Sequence, residues 1–390
     1  MQPRLMLTAA LCAATLACAQ PALAQQARDE SSVSTLIARL EEQKQAWLEA
    51  AQADPQAPIA AHITVPAHAL RRGTAGFEVA VLCAALEARG FEPCTPEQHS
   101  VDAALAARIT AAQRYYGLAA DGIADSQLYN ALSLSAAERA ERVTALITEW
   151  QGIRARAAEM GADKYIVVNV PAYEVRAMDG DTVALTSKAV VGRPERQTPL
   201  GVINVRAIKY NPDWTPPATV LKHDIYPALA NGGAWIRAHG LQLRDRAGKV
   251  VDWEGLTAED IRNAGYRFVQ PASETAALGL LKFETDSSQN IYLHDTNERN
   301  LFARAARARS SGCIRVERWR ELAAWMVDTD VSGVEHKVAT RKTFFEATPK
   351  VPVFIVYQLA DVQDGHVVFY PDIYQRNPEN SNKKALVAQR

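Results

Sequence analysis

The sequence of 390 residues predicts an α+β fold, a small helical amino-terminal module followed by a mostly β domain. Up to about residue 160, apolar residues recur at three- and four-residue spacing, the period of a helix. From Lys164 the period changes, and short β-rich runs alternate with Pro, Gly and Asp turn residues. A long stretch from 214 to 275 then interrupts the β pattern, the kind of interruption that more often serves as a lid than as a plain loop. The length allows roughly two to three domains at about 150 residues each. A net charge of −1 gives a nucleic-acid partner no electrostatic support.

Residues 1–24 read as a signal peptide. Arg4 is the positive start, Leu5 to Ala19 is apolar but too short to span a bilayer, and Ala22-Leu23-Ala24 fits a cleavage site. This predicts export to the periplasm with no stable membrane insertion. Cys18 is a poor lipoprotein match because Thr15 stands where an apolar residue belongs. In residues 25–62, Leu36, Ile37, Leu40, Trp47 and Leu48 make one face of a helix that Ser32 or Ser34 caps, and Asp54-Pro55 ends it. Residues 63–134 form a helical unit with three segments: Val79 to Leu86 closed by Gly90, Ser100 to Tyr116, and Ser126 to Leu132. Cys83 and Cys94 lie together in this unit and are paired as a disulfide, which leaves Cys313 free once the leader cysteines are gone. Residues 135–160 are a connecting helix opened by a capping box, Ser135 to Glu138.

The second domain covers 161–375. Strands are expected at Tyr165 to Val170, Tyr173 to Met178, Val183 to Val191, Val202 to Ile208, Gly279 to Phe283, Asn290 to His294, Val351 to Tyr357 and His366 to Tyr370. Asp179-Gly180 is a hairpin turn, and a turn at Asp364-Gly365 joins the two closing strands. Thr198-Pro199-Leu200-Gly201 is a structural turn, and Trp319 to Val327 is a helix with Leu322, Ala323, Met326 and Val327 inside. Within 214–275, Trp214, Trp235 and Trp253 either line a substrate channel or form the insertion's own core. His223 and His239 lack the partner spacing of a zinc site, so neither a metal nor a cofactor is expected. Residues 376–390 are polar and are expected to be disordered.

The chemistry concentrates in 294–315, HDTNERNLFARAARARSSGCIR. His294 ends an apolar run, and Cys313 follows nineteen residues later behind Ser310-Ser311-Gly312, with a loop and a short arginine-rich helix expected between them. A thiol needs a base to act as a nucleophile at neutral pH, and an imidazole supplies one. Gly312 permits a tight turn, and consecutive N–H groups there, Ser311 and Gly312 among them, are candidate oxyanion donors. Arg315 is a candidate carboxylate binder, with an ion pair to Glu317 or the surface as its alternative. Tyr292 shares a strand face with His294, so it borders the site or simply packs. Asp295 either orients the imidazole or is an exposed or capping carboxylate, the second being favoured because adjacent strand residues face opposite ways.

This stretch resembles the signature of the L,D-transpeptidases with the YkuD-type catalytic domain: a His, a gap of under twenty residues, then Ser/Thr-x-Gly-Cys-x-Asn/Arg. Ser311 stands where many members have a second His. The Ser-Ser-Gly-Cys-Ile-Arg form resembles the larger branch with an amino-terminal peptidoglycan-binding-like domain and a lid insertion. Leu70-Arg71-x-Gly73, Gln113-x-x-x-Gly117-Leu118 and Asp121-Gly122 resemble that binding domain, and Thr198-Pro199-x-Gly201 resembles a turn of the catalytic one. The resemblance implies a peptidoglycan stem-peptide donor, a diaminopimelate amine acceptor, a cysteine thioester and a 3→3 cross-link, in an enzyme that carbapenems target and that maintains wall and cell shape. A hydrolase on the same residues and a non-catalytic wall-binding protein remain as alternatives. A thiol–disulfide oxidoreductase is weak, because no Cys-x-x-Cys is present.

Overall fold

The computed structural model describes residues 32–53, 68–95, 97–116, 118, 120–363 and 366–376. Residues 1–24, expected from the sequence to be a leader, the turn expected at Asp364-Gly365 and all but the first residue of the 376–390 tail lie outside the described residues. The chain divides into two compact units: 1–156 with 181–183 and 358–372, and 157–180 with 184–357 and 373–390.

The first unit is mostly helical. Its helices are α1 (Val33–Ala53), α2 (Phe77–Glu87), α3 (Ala103–Tyr115), α4 (Ser126–Ser133) and α5 (Ala136–Glu159). Ser32 Oγ accepts the Thr35 N–H and caps α1, whose first residue is tied to the chain at Asp181. Asp102 and Asp125 cap α3 and α4, and the expected box at Ser135 and Glu138 is present in both directions. Cys83 and Cys94 are joined as a disulfide. Gln113, buried on α3, donates to Asp121 Oδ1 and Ile123 O and accepts from Gly122 N–H, so its amide fixes the Asp-Gly turn. The antiparallel strands at Ala360–Gln363 and His366–Phe369 belong to this unit, although they fall inside the 161–375 range read from the sequence.

The second unit is built on one sheet, whose strands are β1 (Lys164–Asn169), β2 (Glu174–Asp179), β3 (Thr182–Gly192), β4 (Gly201–Tyr210), β8 (Leu281–Thr285), β9 (Leu293–His294), β10 (Ala308–Ser310), β11 (Ile314–Val316) and β12 (Phe344–Val356). Their order is β10-β3-β11-β9-β8-β4-β12-β1-β2, and β3 also pairs with β2, so the sheet closes on itself. Closure leaves few free edges. The core contains Ile166, Val168, Val205, Ile208, Phe283, Leu293, Ile314, Val353 and Ile355. Trp319–Met326 is helical as expected, with Leu322, Ala323 and Met326 buried. Two further features are a helix at Val331–Ala339 and the extension of β12 back to Phe344. Val334 alone of that helix is fully buried, so its apolar stripe is thin.

The stretch 214–275 has a small sheet and a hydrophobic core of its own. Short helical turns precede a three-stranded sheet of β5 (Gln242–Arg244), β6 (Val250–Val251) and β7 (Arg267–Val269), and a helix at Ala258–Ala264 with a complete capping box. Val220, Ile225, Ile236, Leu243, Ile261 and Phe268 form its core, with Trp214 and Trp253 packed against it. Trp214 and Gln270 exchange both main-chain hydrogen bonds, at 2.9 and 2.8 Å, and pinch the base of the insertion.

Candidate functional site

The pairing of β9 and β11 explains the spacing of His294 and Cys313. These strands are parallel neighbours, with Ile314 opposite Leu293 and Arg315 opposite His294. Parallel neighbours need a crossover of a dozen or more residues, and 295–313 supplies it. The crossover holds a 3-10 turn at Arg299–Ala303 and then β10, in place of the arginine-rich helix expected there. Leu301 and Phe302 are buried in that turn. With a two-residue period, Leu293, Ile314 and Val316 enter the core, while Tyr292, His294, Cys313 and Arg315 line one cavity. The cavity measures about 440 Å³, and Trp214, Asp224, Trp235 and His239 of the insertion also line it.

His294 is 5 % exposed, and its Nδ1 contacts the Asp295 carbonyl oxygen. That contact makes Nδ1 the protonated nitrogen of the neutral ring and leaves the Nε2 lone pair free. Burial, then the positive charges of Arg315 and Lys282, push the imidazole pKa down to about 3, against the opposing pull of the Asp295 carbonyl. Lys282 lies directly opposite His294 on β8 and was not singled out in the sequence; its lysine type carries no signal without the register. Cys313 is partly exposed, and its Sγ hydrogen bond runs 3.6 Å to the Asn290 carbonyl. Burial raises its pKa, although hydrogen bonding from Tyr292 and the charges of Lys282 and Arg315 favour the thiolate. The resting pair is therefore a thiol and a neutral imidazole. Both side chains line the one cavity, but the sulfur's hydrogen bond goes to Asn290 and the ring's to Asp295, not to each other.

The turn before Cys313 is held from several sides. Gly312 has φ +119°, a conformation that side-chain-bearing residues rarely adopt. Its N–H donates to Ser310 Oγ at 3.1 Å, and Ser310 Oγ donates to the Cys313 carbonyl at 2.6 Å. This corrects the expectation that Gly312 offers an oxyanion donor, because its N–H is already spent. The Gly312 carbonyl accepts from Thr198 Oγ1 at 2.9 Å, and Thr198 Oγ1 in turn accepts the Gly192 N–H at 2.8 Å. In a trans peptide, a carbonyl aimed at Thr198 turns the Cys313 N–H the opposite way. Among the described residues, the Cys313 and Ser311 N–H groups have no protein acceptor. Thr198 is thus more than a turn residue. Thr198→Val is expected to cost about 1–3 kcal/mol, because it strands the buried Gly192 N–H, while Thr198→Ser stays close to the parent. Thermal unfolding of the three proteins checks this, and equal losses for Val and Ser would contradict it.

Arg315 lies in the cavity, and its Nη1 pairs with Glu298 Oε2 at 2.5 Å, not with Glu317. Glu298 comes from the crossover, a neighbour that local spacing does not reveal. Tyr292 borders the site: its ring meets His294 edge-on at 5.6 Å between centroids, and Lys282 Nζ sits 4.1 Å from its centroid. Burial raises the pKa of its hydroxyl, with Cys313 beside it adding to the effect. Asp295 is 1 % exposed, which corrects the exposed reading. Its Oδ2 accepts from Leu280 N–H at 2.9 Å and Arg299 Nη2 at 2.8 Å, so its main-chain carbonyl, not its carboxylate, meets the imidazole. Of the three tryptophans, Trp253 packs inside the insertion, Trp214 serves both core and cavity, and Trp235 faces the cavity stacked on His239 at 3.8 Å. Among the described residues, no group of His, Cys, Asp and Glu side chains has the arrangement of a metal site, and no helix is long and apolar enough to cross a membrane.

Residues 163–353 match the YkuD family, described as "L,D-transpeptidase catalytic domain", and residues 76–132 match a "Putative peptidoglycan binding domain". A curated protein of Haemophilus influenzae, a "Putative L,D-transpeptidase", is 36% identical over 219 residues, 54% of this chain and 44% of its own length. The chain thus spans less than half of that relative. Among solved structures, an L,D-transpeptidase from Mycobacterium smegmatis has 14% identity and a TM-score of 0.26, covering 50% of this chain and 58% of that one. Mycobacterium tuberculosis L,D-transpeptidase 1 has 13% identity and a TM-score of 0.24, covering 50% and 61%.

Proposed function

From a chain that carries a YkuD-type L,D-transpeptidase catalytic domain and a peptidoglycan-binding-type domain, we propose an enzyme that opens a peptidoglycan stem peptide through a Cys313 thioester and passes it to an amine, forming 3→3 cross-links. The observation that carries this reading is the shared cavity of Cys313 and a His294 whose Nε2 is free to take a proton.

The Cys313 thiol gives its proton to His294 Nε2 as the sulfur turns from Asn290 to attack the amide carbon before the terminal D-Ala. The oxyanion takes a hydrogen bond from the Cys313 N–H, with the Ser311 N–H as a second donor. Collapse breaks the C–N bond, the imidazolium protonates the departing amine, and a thioester remains. A diaminopimelate amine of a second stem then attacks the thioester, His294 accepts its proton, and the thiol is restored. Arg315, Arg193 and Arg309 line the cavity and suit the carboxylates of such peptides. The leader read at residues 1–24 is consistent with this work being done in the periplasm.

Product analysis on purified muropeptides tests the reading. Dimers are expected; trimmed monomers alone would make the enzyme a hydrolase, and binding to sacculi without any turnover would leave only a wall-binding protein.

A further inference from the structure

Arg196 ends the one-turn 3-10 helix Pro194–Arg196 that follows β3. Its guanidinium reaches into the insertion and grips Asp224 with both prongs, Nη1 to Oδ2 at 2.7 Å and Nη2 to Oδ1 at 3.3 Å. The same Nη1 donates to Ser311 Oγ at 3.0 Å, two residues before the candidate nucleophile. The guanidinium is 13 % exposed and Asp224 33 %. Asp224 sits on a π-helical turn, Leu221–Ile225, a departure from α geometry that often marks functional positions. The insertion has its own core and is pinched at its base by Trp214 and Gln270, so Arg196 provides a separate tether at the cavity wall.

We propose that Arg196 is a positioning residue that holds the 214–275 insertion over the Cys313 turn through Asp224 and Ser311, and thereby sets how the acyl-enzyme divides between an amine acceptor and water. The second half of this proposal rests on the thioester reading above; the first half does not. A two-pronged, charge-assisted pair fixes orientation as well as distance. While it is closed, Asp224 and Trp235 wall the cavity and limit the water that reaches a thioester at Cys313. Once it opens, the insertion remains held at its base, and water gains the approach that the wall denied it.

The test uses the full chain, its Asp224→Asn form, which keeps shape and removes charge, and its Arg196→Lys form, which keeps charge and removes the two-pronged grip. The first readout is the rate at which iodoacetamide alkylates Cys313, followed by peptide mass spectrometry, which needs no enzymatic turnover. Asp224→Asn is expected to react on the order of ten-fold faster, the loosening that losing a charge-assisted hydrogen bond allows, and Arg196→Lys to fall between it and the parent. The second readout is the ratio of hydrolysed to cross-linked muropeptide, expected to rise in the same order while the melting temperature of Arg196→Lys stays near the parent's. Unchanged alkylation in both variants overturns the tether, whatever the activity. Faster alkylation with an unchanged product ratio overturns the control of acceptor choice. Faster alkylation with no product even from the parent leaves the tether standing and removes the thioester reading and the acceptor control built on it.

Discussion

Cys313→Ala is expected to abolish acylation. Incubated with a carbapenem, the parent protein should gain the mass of one inhibitor and the variant should gain none. Stem-peptide turnover should fall by on the order of 10⁴-fold or more, the scale for removing an attacking nucleophile whose partners remain in place. The loss should be chemical and not structural. Cys313 is the free cysteine among the described residues, and it is partly exposed at the edge of the core, so trimming it to Ala leaves little cavity. An unfolding midpoint near the parent's, together with no adduct, is the expected result. An adduct that survives in Cys313→Ala would move the nucleophile elsewhere and dismantle the mechanism.

His294→Ala is expected to slow acylation by about 10²–10⁴-fold without removing it, the usual contribution of a positioned base. The pH dependence gives a sharper check. Lys282 and Arg315 both disfavour the imidazolium, and burial disfavours it more, so His294 stays neutral down to about 3. The parent's acylation rate should therefore show no acid limb near 6.5, the ordinary imidazole value. It should instead rise on the basic side, where the raised Cys313 thiol begins to ionise. A single-turnover pH profile reads both, and an acid limb centred near 6.5 would contradict the buried, neutral ring. Stability follows the same linkage. An unfolded His294 takes up a proton near 6.5 while the folded one does not. Its contribution is thus complete above pH 6.5 and declines as pH falls from there towards 3.

Much of the fold was legible because it is written in short-range period. The change at Lys164, the capping residues Ser32 and Ser135, the Cys83–Cys94 pair and the helix at Trp319 all follow from local spacing, and each is present. The helix at Val331–Ala339 was not legible, since it buries only Val334 fully and so shows little apolar stripe. Composition misleads at the crossover: its arginines suggest a helix, while Leu301 and Phe302 are buried in a 3-10 turn. Asp295 illustrates a different limit. Alternation put its side chain on the face opposite His294, but nothing local indicated that Leu280 and Arg299 would bury and satisfy it there.

The sequence by itself determined where helical period gives way to strand period, and it offered His294 and Cys313, nineteen residues apart, as the candidates for the chemistry; that the gap between them is a crossover joining parallel neighbours is seen only in the register. Only the tertiary structure decided which of their neighbours are free to act. The Gly312 N–H is spent on Ser310, Arg315 is held by Glu298, Thr198 pins a carbonyl 114 residues away, and Arg196 reaches a hydroxyl 115 residues away. The physical reason is that periodicity constrains a chain over one or two turns, whereas hydrogen-bond and ion-pair partners are chosen by where the closed sheet and the insertion bring distant side chains.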